Sequence, residues 1–178
     1  MANFDTAGIR KQLPDHLILR NSDAFRLLQT ARNNRYGLRD FVLIALLFRH
    51  GLSVRALIEL RPEHVKNGYL VHRCFEKTCA YTPLHPSIIR ALPNLLDETT
   101  PAPLLFRSQQ GGPIKRQAVN YIIEVSSRKA NVAPFSPTEL RHLCGYNLAA
   151  AGFSKTEIRN ALSLSGNGHV NRYFAPWA

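Results

Sequence analysis

Cysteine is scarce in this sequence, and long apolar runs are absent. The 3 cysteines, Cys74, Cys79 and Cys144, form no C-x-x-C pair and are odd in number, which argues against a disulfide scaffold and against a cysteine-based zinc site. The longest apolar run, Phe41 to Phe48, is far shorter than the ~20 residues of a membrane span. The first residues hold no apolar stretch that would act as a signal peptide, so we expect a cytoplasmic protein.

Acidic residues are also few. The chain has 12 Asp and Glu against 23 Lys and Arg, a formal net charge of +11, and 17 of the 23 basic residues are Arg. The guanidinium group is a rigid fork of donors that fits a phosphate, so this composition favours a nucleic-acid partner over a generic basic surface. A length of 178 residues with 45% hydrophobic residues is sufficient for one folded domain.

The pattern of apolar residues and helix caps predicts a mainly helical α+β domain with one β-hairpin. We expect residues 1–20 to form a loose arm and residues 21–178 to form the domain. The predicted helices are Ser22 (N-cap) to Arg32, Leu38 to His50, Ser53 to Leu60, Pro86 to Leu96 (shortened or kinked by Pro93), Lys115 to Lys129, Ser136 to Ala151 and Ser154 to Leu162. The hairpin pairs residues 68–75 with 78–84, and residues 165–168 are expected to be a loop.

Five segments, taken in order and with their spacing, carry a family resemblance. They are His50-Gly51-Leu52 followed by Leu57 to Arg61, the hairpin with Lys77, Gly112 to Gln117, Leu140 to Gly145, and Tyr173. Together they resemble the catalytic domain of tyrosine recombinases (phage integrases) over residues 22–178. The pattern resembles the short fimbrial phase-switch invertases, so we expect this chain to share their lack of the usual N-terminal core-binding domain.

The resemblance implies a fold and a chemistry. In the family a Tyr hydroxyl attacks a DNA phosphate and forms a covalent 3′-phosphotyrosyl link, while two Arg side chains clamp the phosphate oxygens. A Lys on the hairpin acts as general acid, and His residues position groups and shuttle protons. The resemblance implies no metal and no cofactor.

The match fails at three catalytic positions. Ser53 stands where the first clamp Arg belongs, Thr138 replaces the His of the His-x-x-Arg element, and Leu164 replaces a proton-shuttling His or Trp. Ser53 is a good helix N-cap instead. Arg55 lies two residues further on and is expected to point about 200° away on a helix, unless the register slips near Gly51.

Three catalytic positions are retained: Arg141 as the second clamp, Lys77 at the hairpin turn and Tyr173. Lys77 is either the general acid or an ordinary turn lysine. Two alignments of the C-terminal segment with the family remain possible. Tyr173 is the nucleophile in one alignment and an aromatic anchor in the other. His142 follows Arg141 but faces about 100° around the helix, so we expect a hydrogen-bonded residue packed behind the site. His169 would replace a catalytic His only after rearrangement.

The predicted DNA contacts centre on the helix that begins at Lys115-Arg116-Gln117, where backbone N–H groups and basic side chains together favour phosphate. The corresponding helix of the family lies against the major groove, so Gln117 and Asn120 are candidates for base contact. A solvated basic turn is the alternative for Lys115 and Arg116. Further candidate phosphate contacts are Arg35, Arg39, Arg55, Arg73, Arg141 and Arg172.

These features predict a catalytically degenerate tyrosine recombinase that binds double-stranded DNA, as a transcriptional regulator or as an accessory factor in recombination or mobile-element transfer. An active but atypical recombinase is one alternative. A protein-interaction module is another, in which Phe174 and Trp177 dock on a neighbouring subunit rather than on their own core. A homo-oligomer or an active recombinase is the expected protein partner. Cys144 is expected in the core.

Overall fold

The computed structural model describes residues 12–73, 79–99 and 104–177. In this part of the chain, helices α1 to α8 span Asp15–Ala31, Gly37–His50, Val54–Ile58, Pro86–Thr99, Arg116–Lys129, Pro137–Ala150, Lys155–Ala161 and Asn167–Asn171. Strands β1 to β3 span Val65–Lys66, Tyr69–Arg73 and Cys79–Pro83, and short 3-10 turns cover Pro62–His64 and Ala175–Trp177. The architecture is the predicted mainly helical α+β fold. The described helices include none long and apolar enough to cross a membrane.

The longest apolar segment of the sequence becomes the central helix. Every residue of α2 from Asp40 to Phe48 is buried, and the helix packs against α1, α4 and α6. Gly51 ends it in the left-handed conformation at φ 59°, as predicted. A Cβ at Gly51 would lie 2.1 Å from the Leu162 side chain, so this glycine also lets the end of α7 approach the end of α2.

The three strands form one antiparallel sheet in the order β1-β2-β3. Val71 pairs with Tyr81 at the centre of the β2–β3 ladder, which confirms the predicted hairpin. The turn of this hairpin, with Cys74 and Lys77, lies outside the described residues. The structure therefore leaves the Lys77 assignment untested.

The first helix begins earlier than predicted. Helix α1 begins at Asp15, and Ser22 is an exposed residue inside it rather than its N-cap. The cause is burial, since Leu17 continues the apolar face of Ala24 and Leu28 toward the N-terminus. Residues 15–20, which we expected in a loose arm, are helical.

Two other boundaries also differ from the prediction. Helix α4 continues through Pro93 to Thr99, because Leu92 and Leu95 keep its inner face buried on both sides of the proline. Residues 167–168, expected in a loop, begin α8, whose Val170 is fully buried. Tertiary burial outweighs the local preference of Pro and Gly in both cases.

The predicted capping boxes differ in outcome. Ser154 and Glu157 form both bonds of the box at the start of α7. At the start of α6, Ser136 accepts the N–H of Glu139 at 3.1 Å, but the Glu139 carboxylate pairs with Arg20 of α1, with its oxygen 2.5 Å from Nη2. The acidic residue thus joins two helices.

The buried residues form two clusters. The larger one surrounds α2, and the smaller one lies between α6, α7 and the C-terminal segment. The buried members of the smaller cluster are Cys144, Ala149, Ile158, Leu162, Val170 and Tyr173. Cys144 is a core residue as expected, and burial raises the pKa of its thiol to about 12. The smaller cluster places the C-terminal segment beside the candidate site.

Candidate functional site

A groove of about 920 Å³ lies where the ends of α2 and α7 meet α3 and α6. Gly51, Ser53, Arg55, Arg141 and Ser163 are among its lining residues. The fold therefore brings the two candidate clamp regions to one groove, although they are far apart in the sequence. The described residues contain no group of His, Cys, Asp and Glu suited to a metal ion.

Arg141 joins two helix ends. Its Nη1 donates to the carbonyl of Gly51 and its Nη2 donates to the carbonyl of Leu162, the C-cap residues of α2 and α7. Carbonyls at helix C-termini lack intrahelical donors and carry partial negative charge, so a guanidinium group satisfies both needs. Burial lowers the pKa of Arg141, with Tyr173 acting in the opposite direction. The retained clamp residue is thus part of the fold.

The first clamp position holds no cation. Ser53 caps α3 and accepts the N–H of Ala56 at 3.2 Å, which confirms it as an N-cap. The Arg55 side chain is 82% exposed and pairs with Glu59 of the next helical turn at 3.2 Å. Arg55 lines the same groove as Arg141, with its guanidinium group paired to Glu59.

The two lost histidine positions also lack a proton-transfer group. Thr138 is exposed in the first turn of α6. Leu164 packs on the smaller cluster and donates its backbone N–H to the Arg159 carbonyl at 2.9 Å. His169 is exposed on α8. An aliphatic side chain packed into a cluster cannot shuttle a proton.

Tyr173 is buried, with 1% of its surface exposed. Its ring lies against Gly145 of α6 so closely that a Cβ there would be 2.5 Å from two ring carbons. The ring also makes an edge contact with Tyr146 at a centroid distance of 5.3 Å. A mid-helix glycine is ordinarily unfavourable, and this contact supplies its structural reason. Tyr173 is therefore packed as a core residue.

The Tyr173 hydroxyl lies 3.0 Å from Nδ1 of His142, and Nη1 of Arg172 lies 3.1 Å from Nε2 of the same ring. Because a guanidinium group can only donate, Nε2 accepts and the ring proton resides on Nδ1. His142 is therefore neutral and donates to the phenol oxygen, so it does not act as a base toward the hydroxyl in this arrangement. We expected a hydrogen-bonded His142 behind the site, but its partner is the candidate nucleophile.

The electrostatics of this pair oppose ionisation. Burial, followed by Arg172 and Arg141, lowers the pKa of His142. Burial raises the pKa of Tyr173, although Arg141 and Arg172 act in the opposite direction. A buried, protonated phenol is a weak nucleophile. Sequence spacing did not predict the contact between His142 and Tyr173, because the two residues are 31 positions apart.

The predicted DNA-contacting side chains at the start of α5 face the solvent. Lys115 occupies the N-cap position, and Lys115, Arg116, Gln117 and Asn120 are all exposed. No ion pair joins these two cations to a carboxylate of the described residues. Further along the same face, Glu124 pairs with Arg128 at 2.8 Å. The N-terminal end of the helix thus carries two exposed positive charges without a carboxylate partner among the described residues.

The other candidate phosphate contacts differ in exposure. Arg35 and Arg172 are exposed. The Arg39 side chain is engaged within the fold and is only 11% exposed. It pairs with Asp40 at 2.7 Å and donates to the Arg107 carbonyl at 3.0 Å. This placement does not favour the DNA contact predicted for Arg39. Arg73 ends strand β2.

The C-terminal segment packs on its own chain. Phe174 and Trp177 contact the smaller cluster, and the indole N–H of Trp177 donates to the carbonyl of Gln12 at 2.8 Å. Lys155 lies over the Phe174 ring at 5.6 Å. Within this chain both aromatic residues thus pack on the protein's own core.

Comparisons of the sequence with known proteins show which proteins this chain resembles. The phage integrase family model matches residues 18–177. The chain is 29% identical over 168 residues to the type 1 fimbriae regulatory protein FimB of Escherichia coli (strain K12), covering 89% of this chain and 82% of that protein. It is 30% identical over 174 residues to the tyrosine recombinase XerD of Staphylococcus aureus (strain N315), covering 91% of this chain and 58% of that protein.

Solved structures show the same fold. The XerA recombinase superposes with a TM-score of 0.75 at 19% identity, over 85% of this chain and 57% of that chain. The XerH recombinase bound to its palindromic difH substrate gives a TM-score of 0.74 at 16% identity, over 93% of this chain and 50% of that chain. This chain therefore spans little more than half the length of XerD and of these solved recombinases.

Proposed function

The chain belongs to the phage integrase family, and from this premise we propose that it binds duplex DNA through a tyrosine-recombinase catalytic domain without cutting the DNA. One observation carries the proposal. The position of the first clamp is Ser53, and the two positions that the resemblance assigns to proton-transfer residues are Thr138 and Leu164, whereas the basic start of α5 is exposed and forms no ion pair with the described residues.

The replaced groups argue against catalytic turnover. Each donor that stabilises charge in a transition state contributes ~10²–10³ in rate, and the members of one constellation act together. A site without one clamp Arg and two proton-transfer residues is therefore expected to lie far below useful rates. The burial of Tyr173 beneath His142 and Gly145 acts in the same direction.

Binding depends on other residues. In this proposal Lys115 and Arg116 contact phosphates at the positive end of α5, and Gln117 and Asn120 on its exposed face contact base edges, which their exposure supports. Arg172 is a further candidate phosphate contact. The proposed roles are regulation of transcription or assistance to an active recombinase or a mobile-element transfer system. The regulatory name of FimB supports the first role.

A gel-shift titration tests the proposal. We expect salt-sensitive binding to duplex DNA, with affinity that falls steeply as salt rises. Arg116→Gln should weaken binding and reduce the salt slope by about 1. Arg128→Gln removes the same charge from the same helix at an already paired position and should change little. Failure to bind any duplex at low salt would refute the proposal.

An active but atypical recombinase is the second candidate, because Tyr173 lies within hydrogen-bond distance of His142 and close enough to Arg141 for that cation to oppose the rise in the tyrosine's pKa. A nicked suicide substrate distinguishes the two functions. The second candidate requires a covalent DNA adduct that Tyr173→Phe abolishes, and the proposal requires that no adduct forms. Light scattering with and without DNA would show whether binding involves a homo-oligomer.

A further inference from the structure

A second pocket, of about 330 Å³, lies where the C-terminal end of α2 meets the start of α4 and the middle of α6. Arg49, His50 and His85 line it together with the rings of Phe25 and Phe48. It shares no lining residue with the groove around Arg141, and no Asp or Glu lines it. The pocket is therefore a separate, acid-free cationic site.

Arg49 lacks the anion that a partly buried guanidinium group usually has. Its Nε is buried and has no hydrogen-bond partner among the described residues, and no ion pair joins it to one of their carboxylates. The guanidinium carbon lies 5.2 Å from the centroid of the Phe25 ring, which in turn meets Phe48 edge to face. Burial lowers the pKa of Arg49. A charge in this position is stabilised by an anionic partner.

His85 supplies a second donor. The backbone N–H of Ser87 donates to Nδ1 of His85 at 3.2 Å, so in the neutral ring the proton resides on Nε2. The backbone N–H of His85 donates to Nε2 of His50 at 3.3 Å, which ties the two histidines together. Burial, Arg49 and Arg90 all lower the pKa of His85, which reports a positive field around its ring.

We propose that this pocket binds a phosphate group, with the Arg49 guanidinium as the principal partner and the Nε2–H of His85 as a second donor. A phosphate offers several acceptor oxygens, which suits a guanidinium fork and one additional N–H. Two sources share this chemistry: a backbone phosphate of bound DNA and a free inorganic or nucleotide phosphate. The DNA source rests on the proposed function, whereas the free source does not.

The first experiment follows the imidazole resonances of His85 in the wild-type protein by NMR, with a His85→Gln variant for assignment. Inorganic phosphate is titrated against chloride at equal ionic strength. We expect a saturable upward shift of the pKa of His85, because a bound anion offsets the field of Arg49. The absence of a saturable shift in the wild type would overturn the proposal without any variant.

Variants then assign the partner. Arg49→Gln should weaken phosphate binding at least about tenfold, the equivalent of one lost charged hydrogen bond, and Arg128→Gln should leave it unchanged. Thermal unfolding verifies that each variant is folded. An equal response in Arg49→Gln and the wild type would contradict the role of Arg49.

A DNA titration separates the two sources. If the phosphate belongs to DNA, Arg49→Gln lowers DNA affinity and reduces the salt slope by about 1, whereas Arg128→Gln does not. If DNA affinity is unchanged while inorganic phosphate still binds at Arg49, the ligand is a free phosphate. If the wild type binds phosphate but no DNA, the proposed function fails and the pocket remains.

Discussion

The groove around Arg141 and the start of α5 both carry basic side chains. Arg141 is hydrogen-bonded within the fold, whereas Lys115 and Arg116 are exposed. In the groove, Arg141 binds two backbone carbonyls, and in the smaller buried cluster Tyr173 is packed against a glycine. At the start of α5, Lys115 and Arg116 face the solvent and form no ion pair with a described carboxylate. Arg141 and Tyr173 are thus bonded and packed within the fold, whereas Lys115 and Arg116 lie on its surface. Stability and DNA binding should therefore be separable by mutation.

The largest effect is expected for Tyr173→Ala. Removing a fully buried aromatic ring leaves a cavity beside Gly145 and should lower the free energy of unfolding by about 3–5 kcal/mol. Urea denaturation followed by circular dichroism measures this. A loss below about 1 kcal/mol would show that the ring does not anchor the C-terminal segment and would weaken the contrast with α5.

Arg141→Gln should be the next most damaging substitution. The shorter amide cannot reach the carbonyls of both Gly51 and Leu162, and each bond from a charged donor contributes about 1.5–3 kcal/mol. We expect a loss of unfolding free energy within that range or above it. Arg55→Gln is the matched control, because its exposed ion pair should contribute less than about 1 kcal/mol. Similar losses in both variants would contradict a structural role specific to Arg141.

Tyr173→Phe keeps the ring and removes only the hydroxyl that His142 contacts. The cost should be about 1 kcal/mol, the net contribution of one hydrogen bond. Comparison with Tyr173→Ala in the same denaturation assay separates packing from hydrogen bonding. If Phe and Ala are equally destabilising, the hydroxyl rather than the ring holds the segment.

Acid should weaken the groove region through His142. Because the pKa of folded His142 is lowered, the unfolded chain binds more protons, so stability rises with pH and is lost as pH falls below the ordinary pKa of histidine, about 6.5. Melting temperatures between pH 5 and pH 8 should show this slope, and His142→Gln should reduce it. The remaining slope includes His85, whose pKa is lowered as well.

The smallest effect on stability is expected at α5. Arg116→Gln should change the free energy of unfolding by no more than about 0.5 kcal/mol, as for other exposed positions, despite its effect on DNA affinity. The same denaturation assay measures it. A loss comparable with that of Arg141→Gln would remove the distinction between the two regions.

Local patterns predicted much of the fold, and they failed where burial overrides local preference. Gly51 ended α2 and Ser53 capped α3 as predicted, because caps and left-handed turns depend on neighbouring atoms. The start of α1 and the presence of α8 were missed, because Leu17 and Val170 stabilise those turns through contacts with distant elements. Helical geometry alone predicted that Arg55 points away from the first clamp position; the side chain is exposed, but it lines the same groove as Arg141.

The sequence by itself determined the family resemblance and the positive charge, and it predicted the replacement of three catalytic positions by Ser53, Thr138 and Leu164, since these depend only on residue identity and order. Only the tertiary structure decided that Arg141 joins two helix ends, that His142 donates to Tyr173 and that Arg49 lines an acid-free pocket. The physical reason is separation along the chain. A hydrogen bond or a pocket between distant residues depends on how helices pack, and no local pattern encodes that distance.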